Sequence, residues 1–268
     1  MSKCLVIALF MITLTSCARM SQSNPKEMLA NHDDQFNYTD KNGQYSVKIS
    51  SGLDKKGKSF FTKKIMELPS RQKDKALEQS VVLSSIGSLK NKITILRPKI
   101  SQYNVWFDGK KYSSELKINT VKKAIDVKMT SPESQWNGTK QVKFPSSTTL
   151  PCFFSQVIEC ARVSGFISKA SSKQTGTMSL MIIWEGYPYL NETFSDFPTE
   201  LFSEAQLEYD GKTKEGERRF NLRVAGQSIF YVLSDKDVMT KMFWVSQGIT
   251  MVSKSSKNAE PEEAGDFE

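Results

Sequence analysis

The stretch Tyr112-Ser-Ser-Glu-Leu-Lys-Ile-Asn-Thr120 decides the fold class of this chain. In an extended backbone Leu116 and Ile118 project to one side, and the charged and amide residues between them project to the other. A period of two is typical of a β-strand with one buried face. The stretch therefore predicts a strand on the surface of an apolar core.

The same alternation recurs along most of the chain, for example in 125–130 and 219–224. Turn signals such as Asp108-Gly109 and Asn137-Gly138 separate these runs. Strands joined by tight turns pair antiparallel, since parallel pairs need long crossovers. The predicted strands are 44–50, 59–66, 80–86, 93–96, 100–107, 111–120, 124–130, 140–144, 177–185, 204–212, 217–225, 228–234, 238–246 and 248–253.

Helical spacing of apolar residues appears at 152–163, and a second, shorter helix is possible at 198–203. Residues 72–83 could start either a strand or a helix. Trp106 and Trp244 lie within alternating strands and are predicted to belong to the core. The predicted fold is mainly β: an antiparallel curved sheet, either a half-barrel or sandwich-like, with one or two packed helices.

The N-terminus has the features of an export signal. One positive charge at Lys3 precedes an apolar run from Leu5 to Leu14. That run is shorter than the about 20 residues that a transmembrane helix needs, and it matches the core of a secretory signal.

The sequence Leu14-Thr-Ser-Cys17 resembles the lipobox of bacterial lipoproteins. The resemblance implies cleavage before Cys17 and lipidation of that cysteine, so that the protein stays on a membrane. In this family an aspartate after the cysteine often marks the inner membrane. Ala18 stands there instead, which favours the outer membrane. The domain prediction is a signal peptide at 1–16, a lipidated tether at 17–42, a β-rich domain at 43–253 and an acidic disordered tail at 254–268.

The formal net charge is +8, and lysines are dense between Lys55 and Lys64. This run could attract anionic lipid headgroups or a cell-wall polymer, or it could simply be a solvated face. An exported protein does not normally meet nucleic acid, so no nucleic-acid partner is expected.

Cys152 and Cys160 form an isolated pair in a chain predicted to be exported to an oxidising compartment, which favours a disulfide. A straight helix opposes it, because eight residues of helix separate the Cα atoms by about 12 Å, whereas a disulfide needs less than about 7 Å. Both conditions hold only if the helix is short and the chain turns back.

The chain has one histidine, His32, which lies in the predicted tether. Serine and cysteine triads need a histidine beside the nucleophile, and catalytic zinc sites usually use two or three. These classes are therefore nearly excluded, and no metal or cofactor is expected. A pair of carboxylates, as in glycosidases, is not excluded by this count.

One segment resembles a ligand platform, namely Trp184, Glu185, Tyr187 and Tyr189, with Glu192 close behind. Exposed aromatic rings beside a carboxylate would suit a sugar ligand. The alternative is the buried end of a strand whose aromatic residues cap the core.

The expected fold is loosely similar to that of periplasmic carriers of lipids and lipoproteins, in which a curved sheet wraps an apolar cavity closed by a helix. The first hypothesis is a non-enzymatic envelope lipoprotein that binds an apolar ligand or a protein partner. The second is a domain that binds or hydrolyses cell-wall carbohydrate, and the third is a structural envelope protein. An apolar cavity would favour the first, exposed aromatics at 184–189 the second, and a filled core the third.

Overall fold

The computed structural model describes residues 35–40, 42–68, 76–89, 92–146, 149–190 and 199–254. Within these ranges the chain forms fifteen strands and two α-helices. The strands are β1 Gln35–Asp40, β2 Tyr45–Leu53, β3 Ser59–Glu67, β4 Ala76–Ser88, β5 Thr94–Phe107, β6 Lys110–Asn119, β7 Ala124–Thr130, β8 Gly138–Lys143, β9 Leu150–Phe153, β10 Thr177–Ile183, β11 Phe202–Lys212, β12 Arg218–Val224, β13 Gln227–Leu233, β14 Met239–Trp244 and β15 Ile249–Ser253. The helices are α1 Val157–Val163 and α2 Phe166–Lys173.

All fifteen strands belong to one sheet, in the order β8-β7-β6-β5-β4-β3-β2-β1-β15-β14-β13-β12-β11-β10-β9. Neighbouring strands are antiparallel except β9 and β10, which are parallel. β1 pairs with both β2 and β15, so the two ends of the folded chain meet in the middle of the sheet. The prediction of a mainly β fold with a curved antiparallel sheet is confirmed. The strands form a single open sheet.

Strand register explains the position of the core. Leu116 lies opposite Val127 on the next strand, and both are buried on the inner face. Phe220 and Leu222 of β12 face the same core from the other half of the sheet. The alternating residues of both halves therefore line one interior, which the two helices occupy.

The two predicted strands at 93–96 and 100–107 are one strand, β5. Its register against β4 shifts between the pairs Ser84–Pro98 and Leu83–Ile100. Proline has no backbone N–H to donate to the ladder, so strands usually accommodate it at an edge or a bulge. The helical alternative for 72–83 is wrong in the described part, because β4 begins at Ala76.

The predicted tether, 17–42, wrongly includes residues that form the first strand of the sheet. Residues 35–40 form β1, where Tyr38 is 1% exposed and its hydroxyl donates a hydrogen bond to the carbonyl of Met239. Only Phe36 and Tyr38 carry the apolar alternation of this strand, which is why its polar composition suggested a tether. Residues 17–34 of the tether and 255–268 of the predicted tail lie outside the described residues.

The helix predictions are corrected in part. The predicted helix at 152–163 begins only at Val157, because the chain first completes β9 and then makes a 3-10 turn at Phe154–Gln156. Residues 199–203 are not helical, and β11 starts at Phe202. α2 was not predicted. No helix in the described ranges is long and apolar enough to cross a membrane.

Candidate ligand cavity

A cavity of about 130 Å³ lies between α1 and the inner face of the sheet. Its sheet wall comes from β1 to β4 and from β13 to β15, the strands that meet at the middle of the sheet. Most of the lining side chains are apolar. They include Phe36, Ile49, Phe61, Ile65, Phe154, Val157, Ile158, Met239, Met242, Trp244, Ile249 and Met251.

A disulfide fixes α1 in this position. Cys152 of β9 is bonded to Cys160 of α1, with a Cα–Cα distance of 6.5 Å. The predicted disulfide is therefore confirmed. The geometric objection assumed a straight helix from 152, whereas the chain turns at Phe154–Gln156 and only the last part of the segment is helical.

Glu185 holds the same turn from the other side. Its carboxylate accepts the backbone N–H of Phe154 at 3.1 Å and that of Ser155 at 2.8 Å. Glu185 is buried, and burial raises the pKa of its carboxyl, although hydrogen bonds from Ser155 lower it. This carboxylate satisfies two backbone donors of a part-buried turn.

The side chain of Gln156 anchors the turn to the sheet. Its carbonyl oxygen accepts a hydrogen bond from the Ser84 hydroxyl at 2.5 Å, and its amide nitrogen donates to the Ser59 hydroxyl at 3.4 Å. All three side chains are buried. The disulfide, Glu185 and Gln156 together determine where α1 begins, and hence the position of the helical wall of the cavity.

Two charged residues of α1, Glu159 and Arg162, also line the cavity, and both are more than nine-tenths buried. The Arg162 guanidinium donates to the carbonyl oxygen of Asp237 in the β13–β14 turn. Burial raises the pKa of the Glu159 carboxyl, and the nearby Arg162 charge opposes that shift. Burial and the Glu159 charge raise the pKa values of Tyr38 and Tyr231.

A second charged pair lies on the sheet side. The Lys63 ammonium and the Glu78 carboxylate form an ion pair at the boundary between this cavity and a smaller one of about 30 Å³. Tyr103 and Glu185 line the smaller cavity, and burial together with Glu78 raises the pKa of Tyr103. Lys63 belongs to the lysine-dense run between Lys55 and Lys64, and its ammonium is directed into the interior.

The predicted ligand platform at 184–189 is not an exposed surface. Trp184 is 1% exposed and Tyr189 is 0% exposed. The Trp184 indole donates to the Ser203 hydroxyl at 2.9 Å, and the Tyr189 hydroxyl lies 3.2 Å from the carbonyl of Ser113. These aromatics therefore pack in the core, as the alternative interpretation of the sequence expected.

Tyr187 is half-buried, and the Lys140 ammonium lies 4.5 Å from the centre of its ring. Trp244 is buried as predicted. Trp106 was predicted to be core but is only half-buried, on the outer face of β5 beside the Lys111 ammonium. Cys17, His32 and Glu192 lie outside the described residues.

Of the four charged residues that line the cavity, the sequence singled out Lys63 alone, as part of the lysine run and not as a cavity residue. Glu159 and Arg162 sit three residues apart in the apolar helical segment, a spacing that puts both on one helix face. That spacing was the available signal, but charges on a short helix normally face water. Lys63 and Glu78 belong to different strands, and only the β3–β4 register brings them together.

No family model and no curated protein matches this chain. Among solved structures, it is similar to the crystal structure of a beta-barrel-like protein of domain of unknown function DUF1849 from Brucella abortus. The two share 10% sequence identity with a TM-score of 0.38, and the similarity covers 82% of this chain and 92% of the other.

Proposed function

We propose that this chain is a non-enzymatic lipoprotein of the bacterial cell envelope. Its cavity binds an apolar group of small cross-section, such as the end of one acyl chain. The observation that carries the proposal is the apolar cavity between α1 and the sheet. Burial of a ligand's apolar surface there would contribute roughly 25 cal/mol for each Å² removed from water.

The size of the cavity limits the ligand. Pockets that enclose a drug-sized ligand measure about 300–1,000 Å³, whereas an apolar protein cavity of about 150 Å³ can bind benzene. A cavity of about 130 Å³ therefore suits one ring or a short length of a single chain. A lipid would insert one end here and keep the rest outside.

The carbohydrate alternative has less support. Trp184 and Tyr189 are buried, so they offer no face for stacking on a sugar. Glu185 uses its carboxylate to bind the backbone of Phe154 and Ser155. We therefore propose that purified protein releases no soluble fragments from peptidoglycan. Release that is abolished by Glu185→Gln would contradict this part of the proposal.

The membrane anchor rests on the lipobox-like sequence ending at Cys17. Eighteen residues, 17–34, separate the start of the mature chain from β1. A fully extended chain of that length could reach about 60 Å. The anchor could therefore hold the domain at the membrane surface, facing either the periplasm or the exterior.

Calorimetric titration with sodium decanoate tests the cavity. The wild-type protein is expected to give saturable binding at one site. Met242→Trp puts a larger side chain into the cavity and should weaken binding by at least about tenfold, which is about 1.4 kcal/mol.

Met129→Trp provides the matched control, because Met129 is half-buried on β7 and does not line the cavity. It should leave the affinity unchanged. Absence of saturable binding to the wild type, or an equal loss in both variants, would contradict the proposed function.

A further inference from the structure

Five hairpins of the described chain turn at the same end of the sheet, because alternate hairpins of an antiparallel meander share one end. Two of them, β11–β12 and β13–β14, carry both acidic and basic residues, namely Lys214, Glu215, Glu217, Asp235, Lys236 and Asp237. The other three lie side by side in the opposite half of the sheet. They connect β2 to β3, β4 to β5 and β6 to β7. Each carries lysine. We call these residues the lysine rim: Lys55, Lys56, Lys58, Lys92, Lys122 and Lys123.

The rim is compact enough to contact one surface. Adjacent strands lie about 4.8 Å apart, so neighbouring hairpins are about 10 Å apart and the outer two about 20 Å apart. Five of the six lysines are exposed, and Lys58 is half-buried. None of the six has an ion-pair partner within 4 Å among the described residues.

The charge of the rim is positive. Among the described residues of these three hairpins and the adjoining strand ends, the acidic residues are Asp54 and Asp126, which leaves a net charge of six minus two, or +4. The Asp54 carboxylate accepts the backbone N–H groups of Lys56 at 2.9 Å and Lys58 at 2.8 Å, so it shapes the first hairpin. The hydrogen bond from the Gln141 amide lowers the pKa of Asp126, and the nearby Lys122 charge adds to this shift.

Two hairpins also present apolar side chains beside their lysines. Val121 is 91% exposed and directly precedes Lys122 and Lys123. Ile93 is 41% exposed and follows Lys92. Apolar residues next to basic ones suit the boundary between lipid headgroups and acyl chains, where both can be satisfied.

The direction of the chain gives an independent indication. In the β1–β2 register Gln35 lies opposite Ser50, close to the Asp54 hairpin. β1 therefore starts at the rim end of the sheet. The preceding residues, including Cys17, connect to that end.

We propose that the lysine rim docks on an anionic phospholipid bilayer, so that the β2–β7 half of this end of the sheet faces the membrane. The inference shares the lipid anchor with the proposed function and does not depend on the cavity. Each lysine close to an anionic surface contributes roughly a fivefold change in binding, so two contribute roughly thirtyfold.

The test uses the mature chain, residues 17–268, with Cys17→Ser, which removes the lipid and keeps the whole described domain. Cosedimentation should show binding to vesicles of mixed phosphatidylglycerol and phosphatidylcholine. Binding to pure phosphatidylcholine should be far weaker. Added salt should weaken binding to the anionic vesicles, because it screens exposed charges.

Matched variants distinguish binding through the lysine rim from a general effect of the protein's positive charge. Lys122→Gln with Lys123→Gln should reduce binding roughly thirtyfold. Lys110→Gln with Lys111→Gln removes the same number of charges from exposed adjacent lysines at the opposite end of β6, where Lys110 pairs with Glu133, and should have little effect. Val121→Asp should also weaken binding, whereas Val245→Asp, at an exposed site in the β14–β15 connection at the opposite end, should not.

Equal losses in the two lysine variants, or anionic-vesicle binding unaffected by the Lys122 and Lys123 changes, would overturn the proposal. Binding to soluble polyphosphate without binding to vesicles would also overturn it, and would assign the rim to an acidic polymer. Because the tested protein has no lipid and the assay does not use the cavity, these outcomes are distinct from failure of the proposed function.

Discussion

The carboxylate of Glu185 accepts the backbone N–H of Ser155 at 2.8 Å, across thirty residues of sequence. This contact joins the turn that follows β10 to the turn that begins the helical wall of the cavity. The acid that looked like a candidate for ligand binding or catalysis therefore holds the backbone in place.

Glu185→Gln should destabilise the fold. An amide offers one acceptor oxygen and an NH₂ group that cannot accept the second backbone N–H, so one part-buried donor loses its partner beside the buried side chain of residue 185. The free energy of unfolding, measured by urea titration, should fall by about 1–3 kcal/mol. Glu208→Gln is the control, because Glu208 pairs with Arg223 at the surface, where such pairs contribute about 0–1 kcal/mol. Equal stability of the Glu185 variant and the wild type would contradict the structural role.

Removal of the disulfide should loosen the same region. Cys152→Ala with Cys160→Ala opens a short loop and should lower the free energy of unfolding by about 2–3 kcal/mol. Reduction of the wild-type protein should give a similar loss, which controls for the effect of the alanines on packing. Intact mass after alkylation under non-reducing conditions should show that neither Cys152 nor Cys160 has been alkylated, because both are in the disulfide. Two alkylated thiols in protein isolated from the envelope would contradict the bond.

The sequence predicted the strands far better than the site. Residues such as Leu116 and Phe220 alternate with polar neighbours, and this local pattern is sufficient to define a strand with a buried face. β1 was missed because its apolar residues are too few, and β9 because it directly precedes a helix. The cavity depends on contacts between strands far apart in the sequence, which periodicity does not report.

Burial was equally hard to infer from local sequence. The segment 184–189 has the same composition whether its rings face solvent or the core. The structure resolves the question through distant partners, such as the Ser203 hydroxyl for Trp184. The disulfide was predictable because Cys152 and Cys160 are an isolated pair, which can be recognised without knowing the fold. Its geometry was not predictable, because it depends on the turn after β9.

The anchor prediction concerns Cys17. Cys17→Ala should leave an unprocessed or soluble form, and labelled palmitate should enter only the wild type. The physical reason is that the acyl chains provide the hydrophobic attachment, at about 0.8 kcal/mol for each buried CH₂ group. Cys4→Ala serves as a control, since Cys4 lies within the predicted signal peptide and should not affect labelling. Equal labelling of the Cys17 variant and the wild type would contradict lipidation at this site.

The last prediction concerns pH and Glu159. Burial raises the pKa of this carboxyl in the folded state, with Arg162, Tyr38 and Tyr231 as its charged and titratable neighbours. A carboxyl with a raised pKa binds more protons when folded than when unfolded. The stabilisation that this carboxyl provides is therefore fully present below its pKa in the unfolded chain, about 4.3. It is lost as pH rises through the pKa of the carboxyl in the folded protein.

Glu159→Gln removes this dependence. The variant should gain stability relative to the wild type as pH rises from about 4.3. Glu115→Gln should show the opposite sign, because the hydrogen bond from Lys117 lowers the pKa of Glu115 and the folded state favours its charged form. Urea unfolding of the three proteins at several pH values measures both differences. A pH-independent difference between Glu159→Gln and the wild type would show that Glu159 does not titrate differently on folding.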